Sequence, residues 1–197
     1  MIIWVNGAFG SGKTQTAYEL HRRIPHSFVF DPENTGYYIR KNIPGVMLKA
    51  DFQEYPLWRE FNYSMLKYID SDFEGTIIIP MTVVDPAYYT EIAGRLRDDG
   101  ILIRHFTLCA SPETLLRRIR SRGERKNSWA ARQIERCVEG LKNEVFQNHL
   151  NTESLSIEEV AEIIAAQAGI TLLPRSRLKS VKILKRIFTL IRYIRFF

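Results

Sequence analysis

Cysteine is scarce in this chain, with only Cys109 and Cys137 among 197 residues. Both stand in apolar or helical contexts without the spacing of metal ligands, so we expect buried thiols in a reducing cytoplasm rather than a disulfide. Internal repeats and low-complexity segments are absent as well. The first predicted strand reaches a glycine-rich loop a few residues from Met1, so an export signal is not expected either. Together these absences favour one cytoplasmic domain.

Acidic side chains are missing from the end of the chain. Residues 175–197 carry eight Lys and Arg and no Asp or Glu, whereas the remainder has 20 basic and 22 acidic side chains. The net charge of +6 therefore belongs to a basic appendage. The charge turns uniformly basic just after Pro174, so we predict one domain over residues 1–173 and a separate segment over 174–197.

This last segment has the pattern of an amphipathic helix, with one apolar face opposite its Lys and Arg side chains. Eight cations are too costly for the bilayer centre, which makes a spanning helix improbable. We expect residues 176–197 to lie on an anionic membrane surface, so that the protein associates peripherally with the inner face of the cell membrane. Docking on the core and RNA binding are the alternatives; no nucleic acid partner is expected.

Short apolar runs alternate with longer helical patterns over the rest of the chain. This alternation indicates repeated strand-helix-strand units and a parallel sheet. We predict an α/β fold with a five-stranded parallel sheet between layers of helices. The predicted strands are Ile2–Val5, Ser27–Phe30, Thr76–Ile79, Leu102–Leu108 and Asn148–Asn151. The predicted helices are Lys13–Arg23, Asp51–Ile69, Pro86–Arg97, Pro112–Arg122, Ser128–Leu141 and Ile157–Ala168.

The segment GAFGSGKT, from Gly7 to Thr14, has the complete phosphate-binding pattern G-x4-G-K-T between a predicted strand and a predicted helix. Glycines allow backbone N–H groups to surround phosphate oxygens at the positive end of the helix. Lys13 is expected to reach the β- and γ-phosphates, and the Thr14 hydroxyl to hold magnesium. We therefore predict binding of ATP with Mg²⁺. The predicted nucleotide contacts are Gly7, Ala8, Phe9, Gly10, Ser11, Gly12, Lys13, Thr14 and Gln15.

Two acidic residues, Asp31 and Glu33, follow the second predicted strand. Ligands of open parallel sheets bind outside the carboxyl ends of the strands, so an acid here faces the predicted γ-phosphate. Asp31 could accept a proton from an attacking hydroxyl or hold magnesium through water. The alternative is a structural Asp-Pro turn.

The third predicted strand ends in Pro80-Met81-Thr82, without the acid that many P-loop enzymes place there to hold magnesium. Asp85 could substitute, or Asp31 could, or magnesium could depend mainly on Thr14, phosphates and water. The missing acid weakens a hydrolase interpretation, because motor and switch NTPases use it to order the metal and the water.

A run of cationic side chains over residues 118–136 has the composition of a mobile lid. Arginines brought in by lid closure can stabilise the charge of a transferring phosphoryl group. We predict this role for Arg118, Arg122 and Arg132; the alternative is a solvated amphipathic helix.

Residues 34–70 are too long for a simple crossover and are rich in aromatic side chains. They are predicted to form the pocket of an acceptor with stacking faces and hydroxyl groups, such as a nucleoside. Aromatic packing of helices on the sheet is the alternative interpretation.

Several longer segments are distinctive: MIIWVNGAFGSGKTQTAYELHRR, DPE, DFQEYPLWREFNYS, IIIPMT and KNSWAARQIERCVEGL. They resemble the tunicamycin-resistance ATP-binding proteins, relatives of nucleotide and shikimate kinases. Together with the phosphate-binding loop, they predict a P-loop NTPase three-layer sandwich similar to nucleoside kinases. The resemblance implies protection of a bacterium from a nucleoside antibiotic that bears a fatty acyl chain. Two hypotheses remain, a kinase that phosphorylates the drug and an ATP-dependent protein that only captures it at the membrane. The acid after the second strand and the arginines favour the kinase.

Overall fold

Five parallel strands form the centre of the computed structural model, which describes residues 1–125 and 127–175. The strands are β1 (Ile2–Gly7), β2 (Ser27–Val29), β3 (Thr76–Pro80), β4 (Ile103–Cys109) and β5 (His149–Asn151). Their order is β2-β3-β1-β4-β5, and every neighbouring pair is parallel. The predicted fold class is therefore confirmed, and each predicted strand lies within two residues of its observed bounds.

Both faces of the sheet are covered by helices. Side chains alternate across a strand, so Ile2 and Trp4 of β1 enter one apolar core while Ile3 and Val5 enter the other. All four are fully buried, which explains why β1 is a continuous apolar run rather than an alternating one. Burial on both faces leaves the carboxyl ends of the strands as the edge open to a ligand.

Eight α-helices occur in the described ranges. They are α1 (Lys13–Arg23), α2 (Glu33–Lys41), α3 (Pro56–Asp72), α4 (Pro86–Tyr89), α5 (Arg95–Asp98), α6 (Pro112–Arg120), α7 (Trp129–Gly140) and α8 (Ile157–Ala168). A π-helical segment, Thr90–Gly94, joins α4 to α5, and 3-10 turns lie at Gly45–Met47 and Phe52–Glu54. No helix within these ranges is long and apolar enough to cross a membrane.

The sequence patterns located α1 and α8 at their observed bounds and missed α2. The predicted helix start at Asp51 is wrong, because the Asp51 carboxylate instead caps a 3-10 turn by accepting from the Gln53 amide (3.0 Å), and α3 begins later at Pro56. Helix α2 follows Pro32, which has no side-chain capping group, so the usual start signal is absent. The predicted amphipathic helix of residues 174–197 lies almost wholly outside the described residues.

A buried histidine joins β4 to the centre of the sheet. Asn6 Nδ2 lies 3.3 Å from His105 Nε2, and His105 Nδ1 lies 3.3 Å from the Gln147 carbonyl oxygen. A neutral ring protonated on Nδ1 donates to Gln147 and accepts from Asn6, so both contacts are satisfied. His105 is 2% exposed, and this burial lowers its pKa from 6.5 to about 4.

The free energy of unfolding should consequently fall in acid. Below about pH 6.5 the unfolded chain binds a proton at His105 that the folded chain resists until about pH 4, so the loss can reach about 3 kcal/mol. Urea denaturation at pH 7 and at a pH near 4.5 should show a smaller loss for His105→Gln than for the unmodified protein. His21→Gln, at an exposed position, is the control. Equal losses in all three proteins would show that His105 is not the group responsible.

Candidate functional site

The glycine-rich loop connects β1 to α1 and has a backbone shape that only glycine accommodates at two positions. Gly10 and Gly12 have φ values of +83° and +97°. A Cβ atom on Gly10 would lie 2.7 Å from the Leu115 carbonyl oxygen of α6. The loop is thus pressed against α6, and Gly12 directly precedes the first turn of α1, where free N–H groups attract anions.

The start of this loop is held by the Asn6 side chain, which is fully buried. Its Oδ1 accepts from the Gly7 amide (2.8 Å) and the Val83 amide (3.1 Å), while Nδ2 donates to the Val83 carbonyl (2.8 Å). The Thr82 hydroxyl donates to the Gly7 carbonyl (2.7 Å). The loop is therefore fixed to the segment that follows β3.

A cavity of about 320 Å³ opens beside the loop, and we call it the P-loop cavity. Lys13 and Thr14 line it together with Glu33 from α2 and aromatic side chains, among them Phe52. Lys13 is 8% exposed, and burial lowers the pKa of its ammonium group. Glu33 opposes this shift by favouring the charged form. An ammonium group that has lost much of its water is well prepared for a phosphate oxygen.

The two acids after β2 take different positions. Glu33 lines the P-loop cavity, whereas Asp31 lines a neighbouring apolar cavity. Asp31 Oδ1 accepts from the Glu33 amide (3.0 Å), so Asp31 also fixes the turn that leads into α2. Both carboxylates act on the pKa of Lys13, Glu33 more strongly. The sequence pattern located this acidic pair but did not separate the two roles.

The arginines predicted to act together are also separated. Arg122 lines the P-loop cavity and a second cleft of about 420 Å³ on the other side of the loop. Arg118 lines the second cleft and donates to the Thr152 carbonyl (2.6 Å). Arg132 is exposed and lines neither space. Arg136 lines the P-loop cavity instead, with its Nη2 3.4 Å from Asp51 Oδ2.

Seven of the nine predicted nucleotide contacts line the two spaces, and Gly7 and Ala8 line neither. Gly10 lines both, Phe9, Lys13 and Thr14 line the P-loop cavity, and Ser11, Gly12 and Gln15 line the second cleft. Ala8 is buried in an apolar cluster with side chains of α6 and α7. The loop therefore lies between two spaces that share Gly10 and Arg122, an arrangement that suits a triphosphate bound along the loop.

Trp129 is a site residue that sequence reasoning missed. Its ring meets the Phe9 ring edge-on at 5.2 Å between centroids, and the Phe9 ring lies 5.1 Å from Lys13 Nζ. Trp129 and Arg136 both line the cavity and lie seven residues apart on α7, close to two helical turns. The seven-residue spacing was the only signal in the sequence for this pair. It does not show that Trp129 and Arg136, rather than Arg132, face the cavity.

The side chains around Thr14 suit magnesium rather than a metal that needs an all-protein site. In the described ranges, no group of three or more His, Cys, Asp and Glu side chains could hold a metal. Asp85, the candidate substitute acid, caps α4 by accepting from the Ala87 amide (2.8 Å). Thr14, the nearby carboxylates and ligand phosphates would hold Mg²⁺, which keeps several waters.

Comparisons with known protein families and solved structures agree with the fold and the phosphate-binding loop described above. A family model described as an AAA domain matches residues 2–142. The tunicamycin resistance protein of Deinococcus radiodurans is 38% identical over 88% of this chain and 99% of its own, with a TM-score of 0.75. The chain belongs to the tunicamycin-resistance family of P-loop proteins. This family was predicted from the sequence and is confirmed.

More distant similarities concern the fold alone. Shikimate kinase from Bacteroides thetaiotaomicron is 16% identical, with 86% of this chain and 99% of that chain covered and a TM-score of 0.59. The Mycobacterium tuberculosis APS kinase is also 16% identical, with 85% and 96% covered and a TM-score of 0.56. Among curated protein sequences, none matches this chain. The fold is thus that of small-molecule kinases.

Replacing Lys13 should weaken nucleotide binding. Lys13→Met removes a charge-assisted hydrogen bond to phosphate, for which about 1.5–3 kcal/mol is typical, so the Kd of an ATP analogue should rise about 10- to 100-fold. Isothermal titration calorimetry measures this change. Lys41→Met, at an exposed position at the end of α2, is the matched control and should bind as the unmodified protein does. Similar affinities for the two variants would contradict phosphate binding by Lys13.

Proposed function

We propose that this chain transfers the γ-phosphoryl group of ATP to a hydroxyl group of tunicamycin or a related nucleoside and so protects a bacterium from the drug. The convergence on one cavity carries the proposal: phosphate-binding Lys13 and Thr14, the acid Glu33, and Arg122 and Arg136 all line it. A phosphoryl transferase needs these parts, because the reaction depends on positioning and on stabilising charge.

In this reaction the acceptor hydroxyl oxygen attacks the γ-phosphorus, and the bond from that phosphorus to the β-γ bridging oxygen breaks to release ADP. The hydroxyl proton passes to Asp31, the proposed base, or to Glu33, which lines the cavity beside Lys13. Lys13 and Arg122 offset the charge on the transferring group, and Arg118 and Arg132 are proposed to assist on lid closure. Magnesium, held by Thr14 with help from Asp31, would neutralise phosphate charge.

The walls of the P-loop cavity support an acceptor with flat and hydroxylated parts. Tyr37, Phe52 and Trp129 supply aromatic surface, and the Gln53 amide donates to the Thr82 carbonyl (3.1 Å) at the cavity wall. Rings of this kind stack on a nucleobase, while the Asp51–Arg136 pair offers charged groups to hydroxyls. These contacts agree with an acceptor pocket within residues 34–70.

ATP-dependent capture of the drug without chemistry is the second candidate. The position after β3 favours it, since Thr82 bonds to the Gly7 carbonyl and Asp85 is used as a helix cap. Fewer acidic side chains are therefore available to hold magnesium than in many catalytic P-loop sites.

Incubation with labelled ATP and tunicamycin distinguishes the two candidates. We expect mass spectrometry to show the drug with one added phosphoryl group. Asp31→Asn should lower the turnover number about 10²- to 10⁴-fold, the range of a general base. Glu33→Gln tests the other carboxylate, and Asp72→Asn, at an exposed position at the end of α3, is the control. A drug that is bound at high occupancy but unmodified would overturn the kinase proposal in favour of capture.

We further propose that the protein acts in the cytoplasm at the inner face of the cell membrane, held there by residues 176–197. The basic and apolar composition of this segment supports the proposal. Deletion of residues 176–197 should move the protein from the membrane fraction to the soluble fraction on centrifugation. Replacing Leu184, Ile187 and Ile191 by Ser keeps all the charges and should weaken binding partly. Unchanged sedimentation of the deletion variant would assign the anchor to another part of the chain.

A further inference from the structure

An apolar cavity, distinct from the second cleft, lies on the other side of α2 from the P-loop cavity. It has a volume of about 500 Å³ and is formed by β2, α2 and α3. Most of its lining is hydrophobic and includes Phe28, Phe30, Phe61 and Met65, and we call it the apolar cavity. The polar side chains in the lining include Asp31, which begins the turn into α2, together with Asn34 and Thr35. Its volume lies within the range of small-molecule sites.

Several rings at this cavity are left open to solvent. Phe28 is 46% exposed, Phe61 44% and Tyr38 68%. Three large rings around one concave space expose more apolar surface together than scattered single residues do, and such grouped surface marks a binding site. Covering it with hydrocarbon would remove water from these rings, which is favourable.

Helix α2 is the shared wall of the two cavities. Glu33 and Tyr37 line the P-loop cavity, while Thr35 and Tyr38 line the apolar cavity. The turn before α2 is fixed because Trp58 Nε1 donates to the Pro32 carbonyl (2.9 Å). A ligand that fills both cavities would pass the turn at residues 31–33. One part of it would lie in the polar P-loop cavity and the other in the apolar cavity.

We propose that the apolar cavity holds the hydrocarbon chain of an amphiphilic acceptor whose polar head enters the P-loop cavity. This inference deepens the proposed function, on which its account of the head group rests. The carboxylate of Asp31 lines the apolar cavity and would lie beside the part of the acceptor that joins its hydrocarbon chain to its polar head. Hydroxyl or amide groups can donate to Asp31, whereas the carboxylate of a free fatty acid is repelled by it.

The methionines of this chain provide separate reporters for a test by NMR of ¹³C-labelled methyl groups. Met65 lines the apolar cavity, Met81 lines the P-loop cavity, and Met47 is 56% exposed. Octyl glucoside, added to the full chain below its micellar concentration, should shift the Met65 methyl resonance and leave that of Met47 in place. Octanoate, with a chain of the same length, should bind about tenfold more weakly because of Asp31.

Two matched variants on α3 test the position of the chain. Phe61→Asp places a charge in the cavity and should weaken octyl glucoside binding about tenfold or more. Leu57→Asp, one turn earlier at a position that is 61% exposed, should change it less than about twofold. Equal effects of the two variants, or a Met65 resonance that octyl glucoside leaves unchanged, would overturn the proposal. Equal shifts at Met47 and Met65 would do so as well, since they indicate unspecific adsorption.

Failure of the proposed function gives a different result in the same experiment. A non-hydrolysable ATP analogue should shift the Met81 resonance without octyl glucoside. If Met81 does not respond while Met65 still responds to octyl glucoside, nucleotide use in the P-loop cavity is contradicted and hydrocarbon binding is retained. If Met81 responds and Met65 does not, only the apolar cavity has been assigned wrongly.

Discussion

The side chain of Asn6 joins the start of the glycine-rich loop to the segment after β3 and to β4, and the site depends on it. Its amide bonds to the first residue of the glycine-rich loop, to both backbone groups of Val83 and to the ring of His105. Such a fully buried amide is stable only because each donor and acceptor has a partner. The loop therefore begins at a defined point, and the cavity beside Lys13 takes its shape from this constraint.

Features that depend on neighbouring residues were predictable from the sequence. The phosphate-binding loop, the five strands and the bounds of α1 and α8 follow from local spacing, glycine placement and capping residues. Trp129 and Arg136 lie in the same basic segment as Arg132, but their part in the cavity depends on how α7 packs against the loop. One-dimensional patterns contain no information on that packing angle, so the sequence could not show that Arg136, rather than the predicted Arg132, lines the cavity.

The separation of Asp31 from Glu33 shows the same limit at a finer scale. Two residues apart in a turn, these carboxylates line different cavities because the chain enters α2 between them. The sequence showed that acids follow β2, and the sheet rule placed them at the ligand edge. Which acid faces Lys13 depends on the direction of α2, a helix without a side-chain capping signal.

Helix α2, the wall between two cavities, also has a thermodynamic consequence. A ligand on one side that shifts the helix changes the space on the other side, so the two occupancies are energetically linked. Linkage is reciprocal: the factor by which a bound chain changes nucleotide affinity must equal the factor by which nucleotide changes affinity for the chain. Under the proposed function, helix α2, Glu33–Lys41, would thus make nucleotide affinity depend on whether the acceptor carries a hydrocarbon chain, before phosphoryl transfer occurs.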